Sequence, residues 1–107
     1  MAEAVIKAKK LTEEQITEKV IKALTLTSFH KEIIQPFVEE VKFYLKSAGI
    51  KDSVILSTAS VGVFIRGVSD LWSYGSGGTT LSPYFRERVI QLATAEIEVE
   101  EEESKNG

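Results

Sequence analysis

Apolar residues recur at helical spacing through most of the chain, and four segments carry the pattern. Thr12-Glu13-Glu14-Gln15 matches a capping box, so a first helix is expected to begin at Thr12. Ile16, Val20, Ile21 and Leu24 then share one face. Thr25-Leu26-Thr27-Ser28 interrupts the pattern with poor helix formers, and Thr27 or Ser28 can cap the next helix. That second helix is expected from about Phe29 to Ala48. Its apolar stripe runs through Ile33, Ile34, Phe37, Val38, Val41, Tyr44 and Leu45, with Glu39, Glu40, Lys42 and Lys46 mostly opposite. Gly49 stands where a left-handed stop residue belongs. Pro36 either starts this helix or kinks it.

Ser53 to Ser73 is the most apolar stretch. Val54, Val61, Ile65, Val68 and Trp72 cluster on a helical wheel, while Leu56, Ala59 and Val63 extend the apolar character around it. Such a helix belongs at the centre of a bundle. Val61, Val63 and Ile65 also alternate, so a strand over 61–68 competes; length favours helix. Gly62 and Gly67 each cost an isolated helix about 1 kcal/mol. Tyr74-Gly75-Ser76-Gly77-Gly78-Thr79-Thr80 is a glycine-rich loop, and Ser82-Pro83 then places an N-cap before proline at the first helical position. The last helix carries Tyr84, Phe85, Val89, Ile90 and Leu92 to about Ala95. The expected architecture is all-α: a small bundle of about four helices over 12–95, with a flexible basic arm over 1–11. Residues 96–107 are expected to form an acidic, disordered tail.

Composition narrows the function. At 107 residues, 43% of them hydrophobic and 27% charged, the chain is one small folded domain. It contains no cysteine, which removes disulfides, thiolate metal sites and a cysteine nucleophile. Val61 to Ile65, its longest apolar run, is too short to span a bilayer, and MAEAVIKAKK lacks a signal-peptide core. Charge is unevenly spread: residues 1–95 hold 12 basic and 10 acidic side chains, residues 96–107 one basic and six acidic. A near-neutral body thus carries an acidic end.

Candidate chemistry is sparse. The glycine loop leads into a helix N-terminus, but a phosphate-binding P-loop needs a following Lys, and none occurs between Lys51 and Lys105. A flexible connector or a contact loop over Gly75, Gly77 and Gly78 is the stronger reading. Glu13/Glu14 and Glu39/Glu40 are adjacent pairs that diverge on a helix, Glu100 to Glu103 has no fixed ligand geometry, and His30 reads as a surface or capping residue. No catalytic, cofactor or metal site is expected. Arg66 and Asp70 lie one turn apart and can pair, while Arg86 and Arg88 point to different sides of the last helix. These four suit subunit contacts, the three arginines through their guanidinium groups. Trp72 and Phe85 are expected in the core, Tyr74 and Tyr84 at an interface. Two arginines on the last helix and a basic arm are too few and too scattered for a DNA-binding surface.

Gly67-Val68-Ser69-Asp70-Leu71-Trp72, Tyr74-Gly75-Ser76-Gly77-Gly78, Leu81-Ser82-Pro83-Tyr84-Phe85 and Arg88-Val89-Ile90-Gln91-Leu92 together resemble the small head–tail connector proteins of tailed phages and of prophages in Gram-positive bacteria, also called adaptor or head-completion proteins. The similarity covers about Phe29 to Leu92. The resemblance implies a mostly helical, non-enzymatic subunit of a ring of about twelve copies. Such a ring sits beneath the portal protein in the virion neck, after assembly in the bacterial cytoplasm. Its partners would be itself, the portal and the next neck or tail protein, with packaged DNA passing through without sequence-specific contact. Residues 96–107 would dock on the portal or a neighbour. The rival expectation is a small helical regulatory protein that binds a protein partner or DNA.

Overall fold

The computed structural model describes residues 5–73 and 81–100. In chain order it contains β1 (Ile6–Lys9), α1 (Glu13–Ala23), α2 (Lys31–Ser47), α3 (Asp52–Ile55), α4 (Val61–Ser73), α5 (Pro83–Thr94) and β2 (Ile97–Glu100), with 3-10 turns at Ser28–His30 and Thr58–Ser60. The protein is mostly helical, as its periodicity predicts, with one small pair of strands added.

The capping signals are used as the sequence implies. Thr12 Oγ1 accepts from the Gln15 amide at 3.1 Å, and Gln15 Oε1 accepts from the Thr12 amide at 2.9 Å. At the end of α2, Gly49 adopts φ +89°, the Gly49 amide donates to Lys46 O, and the Ile50 amide reaches back to Leu45 O. That is a Schellman closure, sealed by buried Ile50 and Leu45. The same closure ends α1, where the Leu26 amide donates to Ile21 O, but the left-handed position is held by Thr25 at φ +57°. α2 begins at Lys31 and continues past Pro36, so Pro36 does not start it. Pro36 is exposed, as is Glu32, whose backbone carbonyl loses its helical donor to the proline ring.

Two expectations are corrected. The stretch from Ser53 to Ser73 is not one helix: α3 ends at Leu56 (φ −96°, ψ 64°), a 3-10 turn comes next, and α4 starts at Val61. Serine chemistry explains the break. Buried Ser57 donates from Oγ to Val54 O at 2.7 Å and accepts from the Ala59 amide at 3.1 Å, and buried Ser60 donates to Ile55 O and Ser57 O. These hydroxyls offer the backbone an alternative to the helical ladder. Residues 61–73 are helix, so the alternating Val61-Val63-Ile65 does not form a strand.

The second correction concerns the ends of the chain. Part of the arm and part of the acidic segment form the parallel pair β1–β2, with Ile6 opposite Ile97, Lys7 opposite Glu98, Ala8 opposite Val99 and Lys9 opposite Glu100. Both strands alternate: Ala8 is buried and Ile97 and Val99 are half-buried against the core, while lysines face glutamates outside. Two strands alone are marginal, and this pair is anchored elsewhere. The Lys9 amide donates to Thr58 Oγ1 at 3.0 Å and the Leu11 amide to Leu56 O at 3.0 Å.

α4 occupies the centre. Its Val63, Phe64, Val68 and Leu71 are buried among Ile16 and Val20 of α1, Ile34, Val38, Val41 and Leu45 of α2, and Phe85 and Val89 of α5. Fully burying each of these side chains contributes about 1.5–3 kcal/mol. A polar clasp sets α1 against α2. Glu13 accepts from Gln35 Nε2 and Lys42 Nζ, both at 2.8 Å, and buried Thr17 donates to Gln35 Oε1 at 3.1 Å. No helix among the described residues is long and apolar enough to cross a membrane.

Candidate functional site: a groove between α4 and α5

Asp70 is a buried carboxylate in the last turn of the apolar helix α4, and such a group must find partners. It finds them across the chain at the start of α5. Asp70 Oδ2 accepts from the Ser82 amide at 3.1 Å and from Ser82 Oγ at 2.7 Å, while Ser82 Oγ itself accepts from the Phe85 amide at 3.1 Å. The cap of α5 is therefore tied to α4. The other oxygen, Oδ1, lies 3.9 Å from Arg66 Nη1, an ion pair without a hydrogen bond.

Arg66 is turned toward α5 as well: its guanidinium carbon lies 5.2 Å from the centre of the Tyr84 ring. At an exposed site such cation–π contact contributes about 0.5–1 kcal/mol. Arg88, one turn beyond Tyr84, reaches back toward α4, where a Cβ on Gly62 would stand 3.5 Å from its Nη2. The result is an open groove of about 270 Å³, lined by Arg66, Ser69, Tyr84 and Arg88 with Gly62, Leu24 and Ile65 between them. Arg88 has no ion-pair partner among the described residues. The groove presents two guanidinium groups, two hydroxyls and an apolar floor, which suits a carboxylate-bearing surface with apolar side chains.

Of the residues singled out from the sequence, the structure brings Arg66, Asp70, Tyr84 and Arg88 together. Arg86 is exposed and lies outside the groove. Tyr74, Gly75, Gly77 and Gly78 lie outside the described residues. Phe85 is fully buried, and Trp72 is half-buried, edge-on to both His30 and Phe37 at 6.1 and 6.2 Å. His30 Nδ1 accepts from the Thr27 amide at 3.3 Å, a capping role. Sequence pattern alone does not mark Ser82 and Ser69 as contact residues. The isolated Asp70 within an apolar stripe is the available signal for Ser82, since its order relative to Arg66 is the weaker one for a helical ion pair.

The described residues contain no group of three or more His, Asp or Glu side chains placed to hold a metal ion. Comparison with family models, with curated proteins and with solved structures finds no match to this chain.

Proposed function

We propose that the chain is a structural subunit of a phage or prophage neck, forming a ring of about twelve copies between the portal and the tail. The ring extends the DNA channel and docks the next neck or tail protein; the subunit performs no catalysis and needs no cofactor. The observation that carries this reading is the Gly67–Leu92 sequence string and the way its halves meet. Asp70 of Gly-Val-Ser-Asp-Leu-Trp binds Ser82 of Ser-Pro-Tyr-Phe, so the two described halves of the string are joined directly. A groove of arginine, tyrosine and apolar side chains beside that junction supports a role in touching other proteins.

The test is negative-stain imaging with light scattering on the purified chain, alone and mixed with purified portal assemblies. Rings, free or seated on the portal, are expected. A chain that stays monomeric with portals and instead shifts duplex DNA in a salt-dependent manner overturns the reading in favour of a regulatory protein.

A further inference from the structure

α2 carries a surface of opposite charge to the groove. Its lysines are engaged within the molecule: Lys31 with Glu14 at 2.9 Å, Lys42 with Glu13 at 2.8 Å and Lys46 with Asp52 at 3.5 Å. Its glutamates Glu32, Glu39 and Glu40 are exposed and make no ion pair among the described residues. Beside them Phe29, Ile33 and Phe43 are 90, 51 and 69% exposed. These positions lie away from core-facing Ile34, Val38, Val41 and Leu45, so the outer side of α2 is both apolar and acidic. Phe29, in the turn before α2, lies close in the chain to Ile33, and Phe43 follows Glu39 and Glu40 by one helical turn, so apolar side chains and unpaired charges alternate along this face.

We infer that the α4–α5 groove of one copy receives the outer face of α2 of the next copy. Arg66 and Arg88 meet the glutamates of α2, and its exposed apolar side chains cover Tyr84 and the groove floor. The inference rests on the ring reading above and names the lateral contact within it. Charge decides the occupant. Pairing α2 with α2 would oppose three glutamates to three glutamates, and pairing groove with groove would oppose arginines to arginines. The complement of each surface lies on a different helix of the same molecule, which makes the contact head-to-tail, the kind that closes into rings.

Sedimentation velocity up to roughly 1 mM protein, repeated on portal-bound material, tests this with exposed-residue variants whose folding is checked by circular dichroism. Arg88→Glu, and separately Glu39→Lys with Glu40→Lys, are each expected to weaken self-association about tenfold or more. A chain carrying both sets of reversals is expected to recover most of the loss. Lys19→Glu, on exposed α1 surface, controls for net charge and is expected to change little. If neither reversal alters ring formation, the contact lies elsewhere and the inference falls while the neck reading stands. If the groove reversal abolishes portal binding but spares self-association, the groove belongs to the portal and the inference again falls. A wild-type chain that forms no oligomer in solution or on portals overturns both.

Discussion

Gly67 is where α4 comes closest to its neighbours, and replacing it with alanine measures how tightly they are held. A Cβ built there stands 2.7 Å from Phe85 Cε1, 2.8 Å from Val41 Cγ2 and 3.1 Å from Phe85 Cδ1. Ordinary carbon contacts lie near 3.5–4.0 Å, so the overlap is about 0.8 Å on two sides at once. Neither neighbour has room to retreat. Phe85 and Val41 are fully buried, and the Phe85 ring lies edge-on to Tyr44 at 5.3 Å. Overpacking of this kind costs about 1–3 kcal/mol, against a helix-propensity gain of about 1 kcal/mol for alanine over glycine. With both contacts on rigid groups, Gly67→Ala is expected to destabilise by about 1–2 kcal/mol. For a domain of this size that is a fall in Tm of about 5–15 °C. Gly62, five residues earlier in the same helix, supplies the internal comparison. Its Cβ would meet only the flexible end of Arg88 at 3.5 Å, so Gly62→Ala is expected to stabilise by up to about 1 kcal/mol. Thermal and urea unfolding followed by circular dichroism read both. Shifts of the same sign in the two variants, or no loss in Gly67→Ala, would refute the close packing of α4 against α2 and α5.

Thr25→Gly removes a β-branched side chain from a left-handed position and is expected to raise stability by about 0.5–1 kcal/mol, read as a higher urea midpoint. Asp70→Ala strands the Ser82 amide and hydroxyl and is expected to cost about 2 kcal/mol, with faster hydrogen exchange at the Phe85 amide. The Lys31 ammonium beside Glu14 holds that carboxyl below its ordinary value, and Glu14 in turn raises Lys31. The carboxylate's contribution is therefore complete above the usual carboxylate range and is lost as pH falls through the lowered folded value; the Lys31 contribution is lost only in strong base. Glu14→Gln is expected to approach wild-type stability in acid, once the pH has fallen below the lowered folded value of Glu14, as measured by unfolding across a pH series.

Local chemistry is legible wherever a residue type does one job. The Thr12–Gln15 box, the Gly49 stop and the Ser82-Pro83 start name their own backbone geometry, and the structure uses each of them. Features that depend on burial or on distant partners escape the sequence. The break at Ser57–Ser60 depends on buried hydroxyls, and serine in an apolar stretch is equally compatible with helix. Glu96 to Glu100 looks like a solvated acidic run when its charge is counted, although Ile97 and Val99 alternate with period two. Only β1, about ninety positions away, supplies the backbone partner that makes that alternation a strand. Gly62 and Gly67 are indistinguishable in a helical pattern, yet one faces solvent and the other touches two side chains. In the groove, the Arg66–Asp70 spacing is visible in the sequence, whereas the convergence of Tyr84 and Arg88 requires the packing of α5 on α4.

The strand pair has a consequence for the order of events during synthesis. β1 precedes the whole helical body in the chain and β2 follows it, so Lys7 and Lys9 cannot meet Glu98 and Glu100 until the helices between them have been made. Closing so long a span costs entropy that only finished helices can offset, which places this latch at the end of folding. A ribosome that stopped at Ala95 would release a chain with its helical body encoded and its first strand still unmatched.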